Sequence, residues 1–232
     1  MKLTENEKIN ITGEEKINVM EKGLASLKLN FEEKLKILDA GGTKYTYSVL
    51  SRMFPKSDID TLNISESEAS GSKKHIIADA QKFDLHQKYD IIFANDLIEH
   101  IPSPDAFFEC SFNHLKENGI LVITTPNLAC WYNRVFLLLG YSLANYSASL
   151  KHRTGNPFIR QLPNEHKSVF NFMGLNDLLK IYHFKVIYAK GFTYGATHQV
   201  SAGKFRRIRK VLNSTLPMRL KEGLMIIAKR ME

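Results

Sequence analysis

Lys36-Ile37-Leu38-Asp39-Ala40-Gly41-Gly42-Thr43 is a short apolar run that ends in an acid and passes directly into two glycines. A buried strand that stops at a glycine turn and feeds a helix is the way a doubly wound α/β fold presents backbone to a ligand above the carboxyl ends of its strands. The rest of the chain is organised around this strand and turn.

Downstream, Thr46 to Phe54 is expected to be a helix that stops before Pro55, because the residue before a proline is pushed out of helical geometry. Asp58 to Ile64 alternates as a second strand, and His75 to Ala80 is a third that carries Asp79 at its end. Tyr89-Asp90-Ile91-Ile92-Phe93-Ala94 is a β-branched and aromatic fourth strand, ended by Asn95 and Asp96. A helix from Ser103-Pro104-Asp105 through Leu115 is closed by Asn118-Gly119, and Ile120 to Thr125 forms a fifth strand before Pro126-Asn127. Strand, turn and helix repeated over short connections predict a mostly parallel, doubly wound sheet with helices on both faces. Late in the chain, Leu175 to Tyr182 reads as a helix. Lys185 to Ala189 and Leu224 to Ala228 read as a terminal pair that places one antiparallel strand in the sheet.

Residues 1–232 are expected to form a single domain with two additions. The first is an N-terminal helical segment, 1–35, whose Ile17, Met20, Leu24 and Leu27 are spaced to pack on the sheet. The second is a helical and loop insertion, 128–165, in which Trp131 to Tyr141 is an apolar helix and Lys151 to Pro157 a polar, basic stretch; beside strand ends it suits a substrate cover.

Hydrophobic residues make up 44% and charged residues 24%, the balance of a globular protein and not of a disordered one. The net charge of +8 is local: from Lys190 to Glu232 there are ten Lys or Arg against two acids, and residues 1–189 carry 22 of each sign. Within that tail, Lys204 to Leu212 aligns Phe205, Ile208 and Leu212 among cations, which suits peripheral contact with an anionic membrane surface or a solvated helix face. Cys110 and Cys130 have no CxxC and no metal-like pairing with histidine, so reduced thiols and no metal are expected. The polar N-terminus and the lack of a long apolar run predict a cytoplasmic protein.

The ordered set Ile37 to Gly42, Ala78-Asp79-Ala80, Tyr89 to Ile101 with its Asp96-Leu97-Ile98-Glu99-His100, Leu115 to Leu121 and Thr125-Pro126-Asn127 resembles the class I S-adenosylmethionine-dependent methyltransferases. It is most similar to those acting on small molecules, lipids and sugars. The resemblance implies methyl transfer from S-adenosyl-L-methionine, with S-adenosyl-L-homocysteine as product, to an oxygen, or less readily a nitrogen, of a small-molecule, saccharide or lipid-linked acceptor. It also implies a cofactor site of Asp39, Gly41, Gly42, Asn63, Asp79, Ala80, Asn95 and Asp96. His100 and His166 are candidate bases for removing a hydroxyl proton, and Asn127, Tyr132 and Arg134 are candidate acceptor contacts.

Two features depart from the family pattern. Thr43 and Tyr45 stand where further glycines are usual, and Asn63 stands where an acid usually holds the ribose, with Asp60 and Glu66 the nearest acids. A cofactor-binding protein without turnover is therefore one rival reading. A nucleic-acid methyltransferase is suggested by the basic tail, but Asn95-Asp96-Leu97-Ile98 is not the Pro-Pro-aromatic cluster that clamps a flipped base. A dinucleotide-dependent reductase would need a spaced GxGxxG that Gly41-Gly42-Thr43 lacks.

Overall fold

The computed structural model describes residues 5–66, 72, 74–159, 165–194 and 215–232. The basic 204–212 segment lies outside them. In chain order the elements are α1 (Glu5–Ser26), β1 (Lys36–Ala40), α2 (Lys44–Met53), β2 (Asp58–Asn63), β3 (Lys74–Ile77), β4 (Tyr89–Asn95), α3 (Pro104–His114), β5 (Leu115–Pro126), α4 (Trp131–Leu138), α5 (Phe172–Ile181), β6 (Phe184–Phe192) and β7 (Gly223–Arg230). The strands form one seven-stranded sheet in the order β3-β2-β1-β4-β5-β7-β6. Pairing is parallel from β3 to β5, and β7 runs antiparallel to both β5 and β6, so it is the single reversed strand the late pattern predicted.

Alternation along each strand divides the core between the two faces of the sheet. Leu38, Leu62, Ile92 and Leu121 point to one face, where Phe107 and Phe108 of α3 and Leu175 and Leu179 of α5 cover them. Ile37, Ile59, Ile91, Phe93 and Val122 point to the other, beneath Met20 and Leu24 of α1 and Val49 and Leu50 of α2. The N-terminal apolar stripe is thus a packing face, and it fixes how α1 lies across the sheet.

Several boundaries differ from the sequence expectation. The helix after the glycine turn starts at Lys44, two residues early, because Thr43 caps it: the Thr43 hydroxyl accepts from the Thr46 N–H, and the Thr43 N–H donates to Thr46 Oγ1. β3 ends at Ile77, before Asp79. Asn118-Gly119 does not close α3, which ends at His114. Asn118 instead turns at φ 62° inside the irregular start of β5, where the register to β4 shifts. The apolar helix of the insertion ends at Leu138, short of Tyr141.

Candidate functional site

Because β1, β4 and β5 are parallel neighbours, their carboxyl ends bring Gly41-Gly42, Asn95-Asp96 and Pro126-Asn127 to one edge. The strand order reverses direction at β1, and an open crevice forms at such a switch point. At the glycine turn both N–H groups donate to the Leu62 carbonyl, at 2.8 and 3.1 Å. Gly41 has φ +73°, which strains a residue with a Cβ, and a Cβ on Gly42 would lie 2.8 Å from the Asp39 carbonyl oxygen, so the bend is built for glycine.

Asp39, fully buried at the end of β1, accepts from Thr46 Oγ1 at 2.6 Å through Oδ2, while its Oδ1 has no hydrogen-bond partner among the described residues. Burial pushes its pKa up to about 7; the Thr46 hydrogen bond and the Lys16 charge offset only part of that. Asn95 Oδ1 and the Tyr45 hydroxyl are likewise buried without a partner.

Asp96 takes a left-handed conformation, φ 48°, which turns the chain sharply off β4. Its N–H donates to the Thr124 carbonyl and hydroxyl, at 3.0 and 3.1 Å. Its carboxylate accepts from Thr124 Oγ1 at 3.0 Å, from Tyr194 OH at 3.1 Å and from the Lys16 ammonium of α1 at 2.8 Å. Burial opposes the charge on Asp96, but the Lys16 charge and these hydrogen bonds prevail and hold its pKa below the usual range. Burial also works against the Lys16 ammonium, and Asp96 more than restores it. Glu99, three residues on, accepts from Thr125 Oγ1 at 2.9 Å and leaves Oε1 without a hydrogen-bond partner among the described residues; burial, then the Asp96 charge, raise its pKa well above the usual range. Three acids that all feel the Lys16 charge are thereby split into an ion-paired Asp96 and two that resist ionisation, Asp39 and Glu99.

His100 and His166, 66 positions apart, meet edge to face with ring centroids 4.8 Å apart. The insertion holds His166: its Nδ1 lies 2.8 Å from the Asn145 carbonyl, and Asn145 is tied to Asn133 of α4 at 2.6 Å. Tyr132 is buried with Cys130, Phe136, Ala144 and Ile159 in a small cluster of its own that anchors this segment.

Most other candidates make hydrogen bonds to neighbouring groups of the chain. Asn63 donates to the Gly42 carbonyl at 3.0 Å and accepts from the Ser65 N–H, bracing the glycine turn. Asp60 is buried mid-strand against Lys36, Gln87 and Tyr89, which removes it as a ribose ligand at the strand end. Asp79, near the sheet edge, accepts from the Gln81 backbone and amide, and those bonds lower its pKa. Ala80 is buried beside it. Asn127 donates to the Arg219 and Lys221 carbonyls, stapling the exit of β5 to the segment before β7. Arg134 is exposed and donates to the Ala129 carbonyl. Sequence reasoning passed over Lys16, Glu99, Thr124, Thr125 and Tyr194. For Glu99, the Asp96-x-x-Glu99 spacing after a strand end was the available signal; for Lys16 and Tyr194 there was none.

A family model described as a methyltransferase domain matches residues 14–189. The chain belongs to that family. Its fold agrees: the S-adenosylmethionine-dependent methyltransferase from Clostridium acetobutylicum superposes with a TM-score of 0.60 at 15% identity, covering 97% of this chain and 94% of that one. Among curated relatives, malonyl-[acyl-carrier protein] O-methyltransferase 2 of Ilyobacter polytropus is 32% identical over 104 residues, 40% of each chain. A ubiquinone biosynthesis O-methyltransferase of Glaesserella parasuis is 40% identical over 55 residues, 24% of this chain and 21% of that one. The similarity thus spans well under half the length of these relatives.

The methyltransferase domain's strand-end edge suits the S-adenosylmethionine this family uses. Partnerless, buried Asp39 Oδ1 and Asn95 Oδ1 are acceptors for a cationic ligand bearing an ammonium and a sulfonium. The glycine turn between them leaves no room for a side chain.

Proposed function

We propose that this protein transfers a methyl group from S-adenosylmethionine to an oxygen of a small-molecule, saccharide or lipid-linked acceptor. The observation that carries this reading is the set of buried, partnerless polar atoms at the ends of β1 and β4, next to a turn built for glycine. The cofactor supplies an electrophilic methyl group, and the bond pair stays on sulfur as S-adenosylhomocysteine leaves.

In this reading Asp39, Asn95 and Asp96 receive the amino-acid end of the cofactor, with Gly41 and Gly42 allowing close approach. Asp79 and the Ala80 N–H are assigned to the adenine and Asn63 to the ribose. Binding displaces or redirects Lys16, whose ammonium already sits on Asp96. His100 and His166 take the acceptor proton or orient the hydroxyl, and Tyr132 and Arg134 are assigned to the acceptor side; Asn127, fully buried and bonded at both ends of its amide, instead holds the exit of β5. Oxygen as the methylated atom is supported by the relatives, both O-methyltransferases. A lipid-linked acceptor is supported by the exposed Leu137, Leu138 and Leu139 at the end of α4.

Isothermal titration with S-adenosylmethionine and S-adenosylhomocysteine tests the reading. Saturable binding of both is expected. No binding of either at millimolar concentration overturns it, and binding without transfer across sugar, lipid and quinol acceptors reduces it to a cofactor-binding protein.

A further inference from the structure

We propose that Glu99, His100 and His166 bind a divalent first-row transition ion of the zinc type, positioned to take an oxygen of the acceptor as a further ligand. The site rests on the donor atoms alone; the ion's role rests on the methyl-transfer reading above.

One ligand atom from each of the three residues lies within 4.8 Å of the others. Two donors on one zinc ion, with bonds near 2.1 Å, stand roughly 3.3 Å apart at tetrahedral angles. His100 is exposed, so rotation of its ring about χ1 and χ2 can close the difference. The other two donors are held. Glu99 is only 2% exposed; Thr125 fixes one of its oxygens, and the buried Oε1 is without a hydrogen-bond partner among the described residues. A buried carboxylate oxygen in that condition is costly unless a proton or a cation meets it.

His166 has the outer support that a metal ligand has. The Asn145 carbonyl can only accept, so Nδ1 carries the hydrogen of the 2.8 Å contact, and the neutral ring has its lone pair on Nε2. A ring N–H given to a backbone carbonyl is the usual outer support of a metal-bound histidine. Asn145 is itself buried and held by Asn133, so the support is rigid. This gives the 128–165 insertion a specific task, which is to carry His166 to the end of β4.

The donor set selects the ion. Two imidazoles and one carboxylate suit zinc, manganese, iron or cobalt, whereas magnesium and calcium prefer oxygen ligands throughout. Three protein ligands leave one position open on a four-coordinate ion and two when it expands to five-coordinate. A hydroxyl taken there would ionise nearer neutral pH and release its proton to solvent, so with the ion bound the two histidines serve as its ligands and no longer as the base. The acceptor class that fits is therefore a hydroxyl compound, and best a diol or catechol able to chelate.

The test is zinc titration of chelator-stripped full-length protein by calorimetry, with cobalt as a spectroscopic probe of ligand geometry. One ion per chain at micromolar or tighter affinity is expected. His100→Ala and His166→Ala should each weaken binding at least about tenfold. Absence of such a site, or affinity unchanged in the His100→Ala/His166→Ala double variant, overturns the proposal. Glu99→Gln should weaken binding similarly. If that buried substitution unfolds the protein, as circular dichroism would show, the exposed His100 variant carries the test. Titrating S-adenosylhomocysteine into the same stripped protein separates the two ideas. Cofactor binding without a zinc site removes the metal and leaves the methyl-transfer reading, and a zinc site without cofactor binding does the reverse.

Discussion

The two halves of the strand-end edge are built on opposite principles. At the ends of β2 and β3, the candidate ligands Asn63 and Asp79 have their polar groups bonded to nearby backbone and to Gln81. At and just beyond the ends of β1 and β4, Asp39, Asn95 and Glu99 each hold a buried oxygen without a hydrogen-bond partner among the described residues, and Asp96 relies on Lys16 and Tyr194 from distant parts of the chain. The first arrangement stabilises the fold locally. The second is costly in the free protein and is relieved by a cationic ligand, so binding energy should be concentrated at β1 and β4.

The strongest way to break this contrast is Asp96→Ala, which strands the Lys16 ammonium. The loss should fall near 2–3 kcal/mol, below the ~3–5 kcal/mol for a fully buried pair, because the Asp96 side chain keeps 30% of its exposure. Thermal denaturation should show a lower melting temperature, and calorimetry a loss of cofactor affinity of about a hundredfold.

Asp39→Asn should act next most strongly, through pH. Asp39 has a folded pKa of about 7 against 3.8 unfolded, so folding takes up a proton between those values. Its stabilising contribution is complete below pH 3.8, declines as pH rises, and is lost above about 7. Denaturant melts should show this slope in the parent and a flatter one in Asp39→Asn. A cationic cofactor favours the ionised form, so cofactor affinity should weaken toward about tenfold per unit as pH falls below 7, and the variant should lose that dependence.

Substitutions on the other half should matter less. Asp79→Ala should weaken cofactor binding by only about threefold to tenfold, the worth of one partly exposed hydrogen bond. Asn63→Asp exchanges the bond to Gly42 for a charged ribose acceptor and should change affinity within about fivefold in either direction. If either equals Asp96→Ala in cofactor calorimetry, the contrast between the halves is wrong.

Thr43 illustrates how a departure in sequence finds its reason in local structure. It stands where the family pattern has a glycine, and it is the cap of α2 and shares a reciprocal hydrogen bond with Thr46, which in turn holds Asp39. Asn63 is similar: it replaces an acid and braces the Gly42 carbonyl. Asn127 was read as an acceptor contact from its place after β5, yet its amide is consumed by two carbonyls some ninety positions away.

The sequence alone determined the layered fold, the reversed last strand and the edge at which the site forms. Those depend on short-range facts: apolar alternation, glycine where φ is positive, proline and capping residues at helix ends. Only the tertiary structure decided that Lys16 reaches Asp96, that Tyr194 joins it, and that the insertion brings His166 against His100 beside a buried Glu99. These contacts link residues 66 to 98 positions apart, and no local propensity encodes which side chains will share a site once the strands have aligned.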